Sequence, residues 1–321
     1  MKSCWYPAII AAAIGLGSGA ALAQPWPSKP IRAFIPFAAG SATDIVPRAL
    51  FEPLGAELGQ SIIVENRGGA GGTLGMGAVV RADPDGYTIL VNSSTHTVTP
   101  ATRSNLGFEM SDLAAIVPLG NMPVVMIFNP SKGYKKLSDF VAYARANPGK
   151  INYASAGAGN SSHLNGERFR LAAGFEAVHL PFKGAPEATT EVIAGRADFY
   201  FSPLVNALSL IKDGTVQALA VSGSARASAL PDIPTTVEAG YPNSEYNFWV
   251  GMFAPAKTPA DIRARLYTEM TKALASATVG ERLKNLGADP MPLNSAQFET
   301  LVKNEITTNT ELVKAAGIKV N

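Results

Sequence analysis

The sequence is poor in the residues on which several classes of protein depend. Its 321 residues include one cysteine and three histidines, and only 16% of them are charged. The single cysteine, Cys4, excludes a disulfide framework and a zinc cluster built on several thiolates. A formal net charge of +2 argues against a nucleic-acid-binding protein, which needs a basic surface to neutralise phosphates. The hydrophobic content of 47% excludes a disordered chain.

The usual catalytic motifs are also missing. The sequence contains no G-x-S-x-G nucleophile elbow and no H-E-x-x-H pair. His96, His163 and His179 lie far apart and show no metal-ligand spacing. A hydrolase that acts through Ser161 or Ser162 with His163 is the enzymatic alternative, but neighbouring residues rarely place a base productively against a nucleophile. We therefore expect a protein that is not an enzyme and that uses no metal and no cofactor.

The first 23 residues have the composition of a secretory signal peptide. Lys2 precedes an uncharged apolar run at 8–23, which ends in Ala21-Leu22-Ala23, a site of the kind that signal peptidase cleaves. Three glycines and the short length of this run disfavour a transmembrane anchor. We expect cleavage after Ala23 and a mature protein outside the cytoplasm.

Beyond residue 23, short apolar segments alternate with helical stretches, which is the pattern of a mostly parallel α/β sheet. Strands are predicted at 31–37, 61–65, 87–91, 124–128, 151–154, 177–180, 197–201, 216–221 and 248–254. Helices are predicted at 43–58, 73–82, 137–146, 163–172 and 186–194, after Pro203, and at 260–275, 279–286 and 295–316. Since no strand follows residue 254, the helices of the tail must cover a sheet formed earlier in the chain.

This order of elements predicts a discontinuous first lobe. Residues 24–125 and 249–321 would form lobe 1, and residues 126–248 would form lobe 2. The chain would cross between the lobes near 124–128 and again near 248–252. Two α/β lobes joined by two hinge crossings form a clamshell, whose ligand site lies in the cleft between them.

Two glycine-rich segments, one in each lobe, predict an anion site in that cleft. The segments at 34–44 and 152–163 each run from a strand through small residues to Ser, Thr or Asn at the start of a helix. Such loops present backbone N–H groups beside the positive end of a helix dipole. The alternative is that the glycines only permit turns and the hydroxyls only cap helices. Because the two segments would face each other, we expect a small carboxylate between them, and the loop at 92–97 should reach the same cleft.

The mature chain resembles the periplasmic solute-binding proteins of tripartite tricarboxylate transporters, the Bug family. The resemblance covers essentially the whole mature chain and includes WPSKPIR at 26–32 and PFAAGSATD at 36–44. Further matching segments are 64–72, 84–87, 152–155, 161–164, 183–184, 218–221, 230–235, 253–255 and 258–259.

The resemblance implies a two-lobed type II periplasmic binding fold that closes on a small organic carboxylate, either a mono- or dicarboxylate and aromatic ones included. It also implies a periplasmic location and delivery of the ligand to a membrane permease of one large and one small subunit. We expect a monomer that binds no nucleic acid. A sensor component that presents its ligand to a membrane receptor is the alternative role.

The sequence departs from the family pattern at three positions. The family commonly has two glycines where this chain has Gly40-Ser41, and often has serine where this chain has Asn160. Some relatives carry an acidic residue where this chain has Ser202. Without that carboxylate, an amino-acid ligand, whose ammonium group needs an acidic partner, is disfavoured.

The loops and the resemblance together give the residues that we expect at the ligand site. They are Phe37, Ala39, Gly40, Ser41, Thr43, Asp44, Ser93, Ser94, Thr95, Ser155, Gly159, Asn160, Ser161, Ser162, His163 and Ser202. Asp44 is expected to face the N-terminus of the first helix rather than a ligand amine. Four aromatic residues are candidates either for an apolar wall of the site or for strand core: Tyr200, Phe201, Phe248 and Trp249.

Overall fold

The computed structural model describes Met1 and residues 26–103 and 105–318. The predicted signal peptide beyond Met1 and its cleavage site lie outside the described residues. Over the described ranges, no helix combines the length and the apolar character that a membrane span requires.

The described residues form ten β-strands and ten α-helices. The strands are β1 (Ile31–Ile35), β2 (Ile62–Asn66), β3 (Thr88–Ser93), β4 (Leu113–Met122), β5 (Val124–Phe128), β6 (Asn152–Ser155), β7 (Val178–Pro181), β8 (Phe199–Pro203), β9 (Gln217–Val221) and β10 (Phe248–Pro255). The helices are α1 (Ala42–Leu58), α2 (Thr73–Val80), α3 (Thr95–Thr102), α4 (Leu137–Ala146), α5 (Ser161–Ala173), α6 (Ala185–Ile193), α7 (Leu204–Lys212), α8 (Ala260–Ala275), α9 (Ala277–Asn285) and α10 (Ser295–Ala316). Every predicted strand overlaps an observed one, whereas β4 and α3 were not predicted.

The strands form two five-stranded sheets with the same design. Their orders are β2-β1-β3-β10-β4 and β7-β6-β8-β5-β9. In each sheet the first three strands are parallel, while the fourth is antiparallel to both of its neighbours. The sheets are therefore mixed, but four of the five strands in each run in the same direction, which agrees with the prediction of a mostly parallel sheet. The predicted two-lobed α/β architecture is confirmed.

The chain passes between the two sheets twice, slightly earlier than predicted. Only Pro123 separates β4 from β5, so the first crossing precedes the predicted segment 124–128. The return crossing lies in the segment 222–247, because β10 belongs wholly to the first sheet. The lobe boundaries at 125 and 248 stay a prediction.

The strand β4 was missed because it contains two residues that usually disrupt a strand. Pro118 cannot donate to a ladder and Gly120 has a φ of +158°. Two register shifts between β4 and β10 accommodate them. β4 lies at the edge of its sheet and pairs with β10 alone. The missing N–H of Pro118 therefore leaves no hydrogen bond unmade with a second neighbouring strand.

The helical tail packs on the first sheet. Helix α8 lies against α1 and β4, and α10 lies against α3 and β4. The fully buried Phe298 of α10 packs its ring 5.1 Å from Trp249 and 5.4 Å from Phe253, both on β10. The tail thus completes the core of the lobe that the first strands begin.

Candidate ligand-binding site

A cavity lies where the two lobes meet. Its lining residues are Phe37, Ser41, Ala42, Thr43, Ser93, Thr95, Val124, Ala156, Asn160, Ser161, Ser162, Asn165, Ala185, Tyr200, Phe201, Pro203, Tyr246 and Phe248. The empty space among them, with the adjoining open solvent included, measures about 440 Å³. None of these residues carries a charged side chain, so the field in the cavity comes from backbone and hydroxyl dipoles.

The loop before α1 is held in shape by Asp44, which does not line the cavity. The Asp44 carboxylate accepts hydrogen bonds from the Gly40 N–H (2.9 Å), from Arg48 Nε (2.9 Å) and from Asn66 Nδ2 (3.0 Å). Gly40 has a φ of +79°, in the left-handed region that favours glycine. With its oxygens committed in this way, Asp44 shapes the loop and is not aimed at a ligand amine.

The N-terminus of α1 supplies hydrogen-bond donors to the cavity. Ser41 is the N-cap residue, but its hydroxyl makes no cap hydrogen bond. That hydroxyl is buried and has no partner among the described residues. Ala42 and Thr43 line the cavity, and the first N–H groups of a helix have no acceptor within the helix. These groups, together with the positive end of the helix dipole, favour an anion here.

The N-terminus of α5 faces the same cavity from the other lobe. The Asn160 side chain caps this helix by accepting from the His163 N–H (3.0 Å) and also accepts from the Ser162 hydroxyl (2.9 Å). The Ser162 hydroxyl in turn accepts from the Ala156 N–H (3.0 Å). The loop hydroxyls are therefore used to fix the turn, while the backbone N–H of Ser162, in the first turn, points along the helix axis without a helical acceptor.

Direct hydrogen bonds join the lobes around the cavity. The Ser161 N–H donates to Thr95 Oγ1, which donates to Ser161 Oγ, both at 3.1 Å. On another side, Asn206 Nδ2 of α7 donates to the Gly40 carbonyl at 2.7 Å. The two lobes are thus in direct contact around the cavity in this structure.

Thr95 belongs to α3, a helix that replaces much of the predicted loop at 92–97. Its sequence, THTVTPAT, is rich in threonine and contains Pro100, so its helical propensity is low. Packing stabilises it instead, because α10 lies along it and Asn309 Nδ2 donates to Thr97 Oγ1 (2.9 Å). In this helix the Thr95 side chain is directed toward the other lobe, where it contacts Ser161.

Two histidines support the α5 loop from behind the cavity. The rings of His163 and His179 stack 3.7 Å apart. His163 Nδ1 accepts from the Gly159 N–H (3.1 Å), and His179 Nε2 pairs with Ser155 Oγ (2.6 Å). No hydrogen bond joins His163 to the hydroxyl of Ser161 or Ser162 among the contacts of the described residues, so the geometry does not pair His163 with either of these two serines.

We expect the protein to lose stability as the pH falls from 6.5 to 4.5. Burial lowers the pKa of His163 to about 4 and that of His96 and His179 to about 3, from an ordinary value of 6.5. Below pH 6.5 the three histidines of the unfolded chain therefore bind protons, whereas the buried histidines of the folded protein stay neutral. Glu305 has the opposite effect on stability. Burial raises its pKa to about 7, so as the pH falls the folded state binds this proton at a higher pH than the unfolded state does. On unfolding, a net uptake of about two protons predicts a loss of about 2.7 kcal/mol of stability per pH unit near pH 5.5.

Urea unfolding at pH 7.0 and 5.5 measures this dependence. His96, which stacks on Phe253 away from the cavity, provides the matched variant. His96→Gln should reduce the slope by about one proton, or roughly 1.4 kcal/mol per pH unit. Equal stability of the wild-type protein at the two pH values would contradict the buried, neutral state of these rings.

The structure brings half of the predicted site residues to the cavity. The lining includes Phe37, Ser41, Thr43, Ser93, Thr95, Asn160, Ser161 and Ser162. Outside the lining are Ala39, Gly40, Asp44, Ser94, Ser155, Gly159, His163 and Ser202. Several of the latter shape the loops, as described above, and the Ser202 hydroxyl donates to the Pro203 carbonyl (3.2 Å). That any of these residues binds a ligand stays a prediction.

The aromatic candidates divide between cavity and core. Tyr200, Phe201 and Phe248 line the cavity. Trp249 does not, because it lies in the core beside Phe298 and its Nε1 donates to Glu305 (3.0 Å). Of the two alternatives stated for Trp249, the structure shows strand core.

Sequence reasoning missed several lining residues. They are Ala42, Val124, Ala156, Asn165, Ala185, Pro203 and Tyr246. Helical spacing could have indicated Asn165, which lies four residues after Ser161 and therefore on the same face of α5. No local signal marks Tyr246, which reaches the cavity from the segment that returns to the first lobe.

The sequence and the fold match known proteins. Residues 46–318 match the family model described as tripartite tricarboxylate transporter family receptor. A UPF0065 protein of Bordetella pertussis is 32% identical over 308 residues, which cover 96% of this chain and 95% of that protein. The solved structure of the periplasmic binding protein BugD is 34% identical, with a TM-score of 0.87 over 92% of this chain and 99% of that one. MatC from Rhodopseudomonas palustris, solved with bound malate, is 32% identical, with a TM-score of 0.85 over 90% of this chain and 100% of that one.

Proposed function

The chain belongs to the tripartite tricarboxylate transporter receptor family, and we propose that it captures a small organic carboxylate between its lobes for delivery to a membrane permease. The family membership confirms the resemblance drawn from the sequence. The observation that carries the proposal is the convergence of two helix N-termini, those of α1 and α5, on one cavity without charged side chains. An anion gains from both helix dipoles there and meets no acidic side chain.

The cavity suggests how such a ligand is held. Its carboxylate lies between the N–H groups of Ala42 and Thr43 and that of Ser162, with the unpartnered Ser41 hydroxyl beside it. The rings of Tyr200 and Phe201 face its carbon skeleton, which allows aliphatic and aromatic acids. The malate bound to MatC, a chain of similar fold, supports a small carboxylate as the ligand. An amino acid is disfavoured because no lining carboxylate can pair with its ammonium group.

The remaining parts of the proposal rest on the family. The protein acts in the periplasm as a monomer after removal of residues 1–23, and it docks on a permease of one large and one small subunit. It binds its ligand without chemical change. The separation of His163 from the serine hydroxyls supports this, because a serine hydrolase needs a base in contact with its nucleophile.

A thermal-shift panel of organic acids tests the proposal. A ligand present at 100 times its Kd stabilises the folded state by about 2.7 kcal/mol, which raises the Tm by several degrees. We expect at least one mono- or dicarboxylate to give such a shift, and neutral sugars and peptides to give none. A shift with a sugar or a peptide, and with no acid, would overturn the carboxylate assignment.

A further inference from the structure

Asn165 is a buried polar residue that the proposed carboxylate contacts do not use. It lies on α5, is 1% exposed, and lines the cavity. Its Oδ1 atom has no hydrogen-bond partner among the described residues. Leaving a buried acceptor unpaired costs about 1–3 kcal/mol, so such an atom indicates a partner that is supplied from outside the chain.

The contacts of Asn165 determine which atom of its amide is free. Its Nδ2 donates to Ser222 Oγ at 2.9 Å. The Ser222 hydroxyl donates its own proton to the Tyr246 carbonyl at 3.4 Å, so toward Asn165 it can only accept. In the structure the amide nitrogen faces Ser222, which leaves Oδ1 as the atom that requires a donor.

Two of the hydroxyl groups that line the cavity already donate their protons to other partners. The Tyr246 hydroxyl donates to Ser94 Oγ (3.5 Å), and the Thr95 hydroxyl donates to Ser161 Oγ (3.1 Å). Neither can also donate to Asn165. A hydroxyl group of a ligand in the cavity can supply the donor that Oδ1 lacks.

We propose that Asn165 Oδ1 accepts a hydrogen bond from a hydroxyl group of the bound acid, so that the site selects hydroxycarboxylates over the corresponding unsubstituted acids. This rests on the proposed function and extends it to the class of ligand. Asn165 lies about 6 Å along the helix axis from Ser161, and helical side chains lean toward the N-terminus. One helix can thus engage both ends of a small hydroxy acid, the carboxylate at its first turn and the hydroxyl at Asn165.

Calorimetric titration with matched pairs of acids tests the selection. Suitable pairs are lactate and propionate, malate and succinate, 4-hydroxybutyrate and butyrate, and 4-hydroxybenzoate and benzoate. For the wild-type protein we expect one hydroxy acid to bind about ten-fold more tightly than its partner, which is the usual range for a neutral hydrogen bond. Asn165→Leu should reduce that preference to within about two-fold while the unsubstituted acid still binds.

Two further variants control the experiment. Asn304→Leu makes the same substitution at an exposed position of α10 and should leave both affinities unchanged. Ser222→Ala keeps Asn165 but removes the hydroxyl group that holds its amide in place. The preference for the hydroxy acid should therefore decrease without disappearing. This variant tests the proposal even if Asn165→Leu does not fold.

The outcomes separate the two proposals. Equal binding within every pair by the wild-type protein, or a preference that survives in Asn165→Leu, would overturn the role of Asn165 while leaving the carboxylate site intact. Failure of every acid to bind the wild-type protein would overturn the proposed function and this inference with it.

Discussion

Replacing Ser41 with aspartate should weaken binding of the acid that stabilises the protein most by about 100- to 1000-fold. The Ser41 side chain is 6% exposed and lies beside the proposed carboxylate position. Two like charges about 4 Å apart in a partly buried site repel by roughly 4 kcal/mol, which sets the upper end of this range. Isothermal titration calorimetry of the two proteins measures the change directly.

This variant separates binding from folding. Aspartate is a favourable N-cap residue and its charge suits the N-terminus of α1, so the ligand-free protein should be as stable as the wild type. Ser41→Asn is the matched control because asparagine is neutral and about the size of aspartate. This variant should lose less than about ten-fold in affinity. Affinity of Ser41→Asp within three-fold of the wild type would place the carboxylate away from α1.

Truncating Phe298 to alanine should lower the free energy of unfolding by about 4 kcal/mol, within the range measured for buried phenylalanines. The Phe298 ring is fully buried between Trp249 and Phe253, so its removal leaves a cavity that these two rings cannot fill without moving. The effect depends on α10 being part of the first lobe. Equilibrium unfolding in urea measures it.

A second truncation on the surface calibrates this result. Leu74→Ala removes an apolar side chain that is 60% exposed and should change the stability by no more than about 0.5 kcal/mol. If Phe298→Ala lost less than about 1 kcal/mol, the tail would not belong to the core of that lobe.

The order of elements was predictable from sequence because local signals mark most of them. Strands such as Val124–Phe128 are short apolar runs, and helices such as Leu137–Ala146 end at clear stop signals. The two missed elements are those whose local sequence opposes their structure. Packing by α10 forms α3 despite Pro100, and pairing with β10 forms β4 despite Pro118. Such tertiary effects have no signature in a short window of sequence.

The residues of the site also divide into those that the local sequence marks and those that it does not. The loops around Ser41 and Asn160 were predictable because glycine and capping residues mark a turn before a helix. Phe248 and Trp249 could not be distinguished, since neighbours on a strand face opposite sides and both are aromatic. Tyr246 depends on how a distant segment returns to the hinge, which only the fold determines. Asn165 could have been inferred from its spacing of four residues from Ser161, but no local motif marks it.

The central claim is that a carboxylate is held in the cleft by the N-termini of α1 and α5. A crystal structure of the protein with the acid that gives the largest thermal shift tests it most directly. We expect a carboxylate group within hydrogen-bond distance of the N–H groups of Ala42 or Thr43 and of Ser162, with the lobes closed around it. An acid bound outside the cleft, or bound in it with its carboxylate turned away from both helices, would show that the two helix N-termini do not hold the ligand.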